Sequence, residues 1–271
     1  PRRSAPRRGE VLLEEVGEVM TMDDVIAGRS DSALIHGDTR KVLAATPDDS
    51  LDLVVTDPPF GIKHDSNREG SEWAKQIEGD DAVDVSWLGD LARAMKPATA
   101  LYLFTRWDVE HAWCDAVRAT GLRIVQSIVW DRGTHGSGDL KGAFGYSHER
   151  IIFATKGRHL LRGPRLGDVW RVPAIFSREW RWHPHEKPVD LLRIPIAASS
   201  DPGALVFDGF AGSASTLEAA RAMGRRAIGV ELDPKWHAWS TKRLAGAQRR
   251  DPDGADLARQ PSLFDLGGGA K

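Results

Sequence analysis

Two short apolar runs in this chain each stop at an acid and then at residues that break regular structure, and together they restrict the fold more than any other feature. Leu51-Asp52-Leu53-Val54-Val55-Thr56 runs into Asp57-Pro58-Pro59-Phe60, and Ala204-Leu205-Val206-Phe207 runs into Asp208-Gly209-Phe210-Ala211-Gly212-Ser213-Ala214. Val54 and Val55 favour extended backbone, and two successive prolines end both helix and ladder hydrogen bonding. The first run therefore predicts a strand closed by a rigid, polar turn. The second predicts strand, small-residue turn and helix, the helix running from Ser215 to Met223.

Similar units recur along the chain. Ala33 to Asp38 reads as a strand ending in an acid, followed by a helix from Thr39 to Ala45. Ser86 to Met95 reads as a helix that ends before Pro97, and Ala100 to Phe104 as a strand. Asp108 to Thr120 reads as a helix stopped by Gly121, with strands at Ile124 to Trp130 and Glu149 to Thr155 around a glycine-rich loop. Pro188 to Ser199 is helix-like, and Arg226 to Val230 is a strand ending in Glu231 and Leu232. Alternating strands and helices predict an α/β fold with a mostly parallel sheet.

Bulk properties narrow the class. A chain of 271 residues with a formal charge of −2 suits a globular protein and excludes a uniformly basic coat, but not a local basic face. No apolar stretch exceeds strand length, so neither a transmembrane helix nor a signal peptide is visible, and a cytoplasmic location is expected. The single cysteine, Cys114, excludes an internal disulfide and a cysteine zinc cluster.

The periodic pattern fails between Lys156 and Trp182. There Lys156, Arg158, Arg162, Arg165, Arg171, Arg178 and Arg181 are opposed by only Asp168 and Glu179, and Trp170, Trp180 and Trp182 lie among them. Such a mixture suits phosphate contacts, base readout and stacking; a solvated loop with tryptophans packed on the body is the other reading. The organisation expected is an N-terminal arm over 1–30, a first half over 31–155, this basic insert over 156–182, a second half over 183–246 and a loose tail over 247–271.

The chemistry sits in the two turns. Asp57 and the Pro58 carbonyl can accept hydrogens from a planar exocyclic amine while the ring of Phe60 stacks on a base. In the second unit, Phe207 to Ser213 forms a turn that lets a ligand approach the backbone, and Glu231 closes the next strand where it can accept both hydroxyl hydrogens of a ribose. A dinucleotide oxidoreductase is the competing reading, but the GxGxxG fingerprint is missing. His183, His185 and Glu186 are crowded like metal ligands, yet no HExxH helix is present, and no metal is expected.

Together these motifs resemble the DNA amino-methyltransferases that use S-adenosylmethionine, in their circularly permuted β-class order. Asp57-Pro58-Pro59-Phe60 is similar to the catalytic DPPY, Phe207 to Ser213 to the FxGxG-type cofactor loop, and His183-Pro184-His185-Glu186-Lys187-Pro188 to the HPxxKP stretch. The resemblance covers about Ala33 to Leu244. It implies a Rossmann-like class I methyltransferase sheet with helices on both faces, permuted, carrying a small target-recognition insert. It further implies catalysis by Asp57, Pro58, Pro59 and Phe60. The cofactor would be bound by Asp38, Asp57, Lys187, Phe207, Asp208, Gly209, Phe210, Ala211, Gly212, Ser213, Glu231 and Leu232. Asp38 would face the adenine or merely end its strand, Asp208 would face the methionine ammonium, and Lys187 would help hold the methionine end. Double-stranded DNA would be held by Arg158, Arg162, Arg165, Arg171, Arg178, Arg181 and Trp180, the target base flipped out and the loop from Gly61 to Asp81 closing over it. Phe60 replaces the usual tyrosine, and Gly209 and Ala214 stand where proline and glycine are common. The implied reaction is methylation of adenine N6, with cytosine N4 as alternative, or DNA binding without turnover if Ala214 weakens the cofactor site. A homodimer and a cognate restriction enzyme are the further partners implied.

Overall fold

The computed structural model describes residues 21–60, 83–135, 141–175, 183 and 185–246. Most of the N-terminal arm, the loop from Gly61 to Asp81, Arg178, Trp180, Arg181 and the tail over 247–271 lie outside the described residues. In chain order the elements are α1 (Met22–Ile26), β1 (Ser32–His36), α2 (Thr39–Ala45), β2 (Leu51–Thr56), α3 (Leu88–Ala94), β3 (Met95–Thr105), α4 (Glu110–Ala119) and β4 (Arg123–Asp131). They continue with β5 (His148–Thr155), β6 (Val169–Arg171), α5 (Val189–Ser199), β7 (Leu205–Asp208), α6 (Ser215–Ala222), β8 (Arg226–Glu231) and α7 (Pro234–Leu244).

The strands form one sheet in the order β1-β8-β7-β2-β3-β5-β4-β6. Only β5 runs against its neighbours, pairing antiparallel with both β3 and β4. Helices cover both faces, so the central strands are apolar on both sides, as buried parallel strands must be. Val54, Leu101, Leu103, Phe207 and Ile228 face one core with Leu43, Leu91 and Trp113. Their alternate neighbours Leu53, Val55, Tyr102, Val206 and Ala227 face the other with Leu191, Ile196, Leu217 and Ala220. Period-two alternation thus divides each strand between two cores.

Three elements depart from the sequence pattern. β3 begins at Met95, because Met95 already pairs with Leu51; the register shift that follows accommodates Pro97, and Ala98 turns to φ +62°. β6 has three residues and no periodicity of its own, and it exists because Val169 to Arg171 pair with Val129 to Asp131. α7 is capped by Asp233, whose carboxylate accepts from the backbone N–H of Lys235, and begins at Pro234.

α7 is fastened by a buried ion network. The Arg243 guanidinium donates to Glu186 and Glu218, each at 2.7 Å, and to the Ser213 carbonyl at 3.1 Å, while the Glu186 side chain is only 2% exposed. Removing the cation takes from two buried or half-buried carboxylates the Arg243 charge that each pairs with. Arg243→Ala should therefore lower the unfolding free energy by roughly 3–5 kcal/mol in a urea titration; a loss typical of an exposed ion pair would contradict the burial.

Candidate active site

The chain connections change direction across the sheet between β7 and β2. From β7 the chain passes to β8 on one side, whereas β2 leads to β3 on the other. Ligands of open α/β sheets settle beyond the carboxyl ends of strands at such a switch point. β7 and β2 pair through Leu53 with Val206 and Val54 with Phe207. Asp57 and Asp208 consequently emerge side by side.

At this crevice the two turns are bonded to each other. The Thr56 hydroxyl donates to Asp208 at 3.0 Å and accepts from the Gly209 N–H at 3.2 Å, and the Thr39 hydroxyl donates to the Gly209 carbonyl. Asp208 also accepts from the Phe210 N–H at 3.1 Å, and burial raises its pKa. The turn runs on through Ala211, whose N–H donates to the Val230 carbonyl at 2.8 Å, and Gly212, whose N–H donates to Glu231 at 2.8 Å. Glu231 also accepts from the Asp233 N–H at 2.8 Å, and burial pushes its pKa up to about 7. Leu232, beside it, is exposed.

Asp57 is held by a lysine. The Lys187 ammonium donates to its Oδ2 at 2.5 Å and pairs with Glu149 at 3.1 Å. Asp57 Oδ1 is buried and has no hydrogen-bond partner among the described residues. Burial is the main cause that raises the Asp57 pKa, to about 6; Lys187 opposes the rise and Glu149 adds to it. Pro58 is buried, with Pro59 and Phe60 partly exposed.

The expected residues are brought together unequally. Asp57, Asp208, the turn over 209–213, Glu231 and Leu232 converge at the carboxyl ends of β2, β7 and β8. Asp38 follows β1 at the same end, but its carboxylate caps α2, accepting from the Arg40 N–H at 2.9 Å, and pairs with the Arg40 guanidinium at 2.6 Å. The Lys187 side chain is placed on Asp57 and Glu149. His183 packs edge-on against Trp236 at 4.6 Å, and burial pushes its pKa down to about 3.

The described part of the basic insert is divided between the two ends of the sheet. β5 is antiparallel, so Lys156 and Arg158 follow it at the amino ends of the parallel strands. There the Lys156 N–H donates to the Thr99 carbonyl, and Arg162 forms a two-pronged pair with Asp201 at 2.8 and 2.9 Å. Arg162 is thus engaged at the end away from Asp57. The segment returns along β4, so Arg171 lies opposite Asp131 at the carboxyl end, and Arg165 is exposed between them. Trp170 is buried against Tyr102. Glu149 and Arg243 belong to the site's support, and their spacing in sequence carries no signal for it.

Ala214, the departure that most invited a defect, sits at φ +58° before α6. Its methyl is fully buried in the second core. At Gly209 a Cβ would lie 2.8 Å from Thr39 Cγ2, which accounts for glycine there.

Residues 159–242 match the family model for N6/N4 methyltransferases, described as DNA methylase. A putative methylase, YubD, of Escherichia coli (strain K12) is 34% identical over 231 residues, 83% of this chain and 95% of the relative. The DNA adenine methyltransferase YhdJ of the same organism is 26% identical over 250 residues, 80% of this chain and 84% of the relative. Among solved structures, the M1.HpyAVI–SAM complex superposes with a TM-score of 0.62 at 19% identity, covering 79% of this chain and 100% of that one. The cytosine-N4-specific PvuII DNA methyltransferase gives 0.66 at 16% identity, covering 84% and 89%. The chain belongs to the N6/N4 DNA methylase family.

The Gly209 contact yields a paired test. Gly209→Ala should destabilise the chain by about 1–3 kcal/mol through overpacking. Adding Thr39→Ser removes the opposing methyl, keeps the hydroxyl and should restore most of the loss by thermal unfolding. Equal melting of the single and double variants would contradict the contact.

Proposed function

We propose that the chain transfers the methyl group of S-adenosylmethionine to the exocyclic amine of a DNA base turned out of the duplex, with adenine N6 as the target. The observation that carries this reading is the buried, unpartnered Oδ1 of Asp57 beside the turn that ends β7. A buried acceptor atom without a partner suits a donor that arrives with the substrate.

The residues fit the cofactor. Each Glu231 oxygen accepts one backbone N–H and retains a lone pair for a ribose hydroxyl. The exposed Leu232 side chain offers an apolar surface for the adenine, and the negative charge of Asp208 favours an ammonium at the turn. When bound, the cofactor supplies an electrophilic methyl on a sulfonium. Asp38, Phe207, Phe210, Ala211, Gly212 and Ser213 complete the walls of this half, with the Asp38 carboxylate engaged by Arg40. The cofactor half follows the catalytic half in the chain, while β1 docks outside β8; we read this as the circularly permuted β-class order.

Asp57 and the Pro58 carbonyl accept hydrogens from the amine, and Phe60 stacks on the base. An exocyclic amine is a weak nucleophile because its lone pair is shared with the ring. Two acceptors favour a more pyramidal nitrogen, and Asp57 stabilises the charge that grows there. Turning the base out of the duplex costs roughly a few kcal/mol, offset by the stacking and hydrogen bonds of the pocket. DNA would reach the carboxyl-end rim, where Arg171 lies and from which Arg178, Trp180 and Arg181 follow in sequence. Trp107, 61% exposed after β3, lies on the same rim.

In the family that the motif resembles, aspartate at its first position is commoner among adenine enzymes; this and the likeness to YhdJ, named a DNA adenine methyltransferase, favour adenine. Cytosine N4 is the second reading, favoured by the superposition on the cytosine-N4-specific PvuII enzyme. Both bases present an amine beside a ring-nitrogen acceptor. Tritium transfer from labelled cofactor into unmodified genomic DNA, followed by nucleoside analysis, separates them. N6-methyladenine is the expected product, and Asp57→Ala should abolish it. Full activity in Asp57→Ala would overturn the catalytic assignment, and an absence of both cofactor binding and methyl transfer in the wild-type chain would overturn the function.

A further inference from the structure

We propose that Glu149 is a positioning residue for methyl transfer: it holds the Lys187 ammonium so that Lys187 fixes Oδ2 of Asp57 and leaves Oδ1 as the acceptor for the incoming amine. This rests on the function proposed above and adds a residue that no motif of the chain contains.

Five elements converge on the ammonium. Asp57 ends β2, Glu149 lies near the start of β5, and Lys187 precedes α5. The rings of Phe104 on β3 and Trp130 on β4 lie 5.2 and 5.9 Å from Nζ. Phe104 and Trp130 meet edge to face, and the Lys187 side chain is 10% exposed, so a long flexible cation is confined to one position. An ammonium so placed can serve both carboxylates at once. Without Glu149, Asp57 is its one ion-pair partner among the described residues, and the second pull that fixes it on a single Asp57 oxygen is lost.

Charge gives a second reason. Asp57, Glu149 and Asp208 set against Lys187 and Arg132 leave one net negative charge beside an amine that turns cationic as its bond to the methyl carbon forms and the carbon–sulfur bond breaks. Electrostatic stabilisation placed in advance where charge develops is the strongest device available to a buried site. With Glu149 neutral, these charges would cancel.

Other charged or titratable groups lie around these three among the described residues, Arg106 beside Tyr146 among them. Asp208 adds a negative charge beside Asp57 across the β2–β7 pair. Arg132 approaches Glu149 at 3.6 Å, and Tyr146 lies near enough for Glu149 to raise its pKa, after burial, to about 12. His183 is kept neutral by burial. Because Glu149 raises the Asp57 pKa and Lys187 lowers it, Glu149→Gln should move the acid limb of kcat below about 6 and Lys187→Met should move it above.

The test uses the full chain, labelled cofactor and duplex DNA, with a carbon-13 NMR titration of the Asp57 carboxyl run without DNA. Glu149→Gln should lose about a hundredfold in kcat, the cost of a misplaced catalytic group. Its cofactor affinity and melting should stay near wild type, and its Asp57 titration should shift to lower pH. Glu149→Asp should recover part of the loss. The double variant Glu149→Gln, Lys187→Met should be no slower than Lys187→Met, because coupled residues do not act additively. Losses that multiply in the double variant, or an unchanged kcat and Asp57 titration in Glu149→Gln, overturn the proposal. If Glu149→Gln fails to fold, Glu149→Asp and Lys187→Arg permit the same comparison. A wild-type chain that methylates no DNA defeats the function instead, and the NMR titration still decides the linkage.

Discussion

The parallel pairing of β2 with β7 is the constraint on which the site depends. Only two register pairs join these strands, and each end of the contact carries a side-chain clip. At the amino end Asp52 accepts from the Leu205 N–H at 2.8 Å and pairs with Lys96 at 2.6 Å. At the carboxyl end Thr56 bridges Asp208 and Gly209. The residues joined are some 150 positions apart in the chain, yet the two turns are held at hydrogen-bond distance. A slip of β2 by one residue would turn Val54 into the opposite core from Phe207 and move Asp57 away from the turn that ends β7.

From that contact the electrostatics follow. Several acids follow the strands at one end of the sheet: Asp38, Glu231, Asp208 and Asp57, in spatial order. Each is managed differently. Asp38 has an arginine, Glu231 has two backbone N–H groups, Asp208 has hydroxyl and backbone donors, and Asp57 shares Lys187 with Glu149. Burial raises the pKa of the last three, so each anion depends on the donors around it. Within this series Asp57 combines a strong ionic partner on one oxygen with a buried, unpartnered second oxygen.

Much of this was legible in sequence because it was local. Helix α2, strand β2 and the β7–turn–α6 unit are written in strand-forming residues, prolines and glycines whose preferences act over a few positions. The strand-terminal acids were found for the same reason. Glu149 was legible only as part of a strand, since its role depends on β5 entering the sheet antiparallel, a tertiary choice with no short-range signal. The same reversal separates Arg162 from Arg171 by the length of the sheet, although they are close in sequence. Lys187 was assigned through its motif, but which atom its ammonium meets is decided by Phe104 and Trp130, far away in the chain. β6 is the extreme case, a strand that exists through its partner alone.

What joins fold, charge and chemistry is the claim that an exocyclic nitrogen beside Asp57 receives the methyl. The most direct measurement is the identity of the bond formed. With carbon-13 in the cofactor methyl and nitrogen-15 throughout a duplex substrate, NMR of the product nucleosides should show a one-bond carbon–nitrogen coupling at the exocyclic nitrogen of adenine. A labelled methyl attached to a ring carbon would contradict the account.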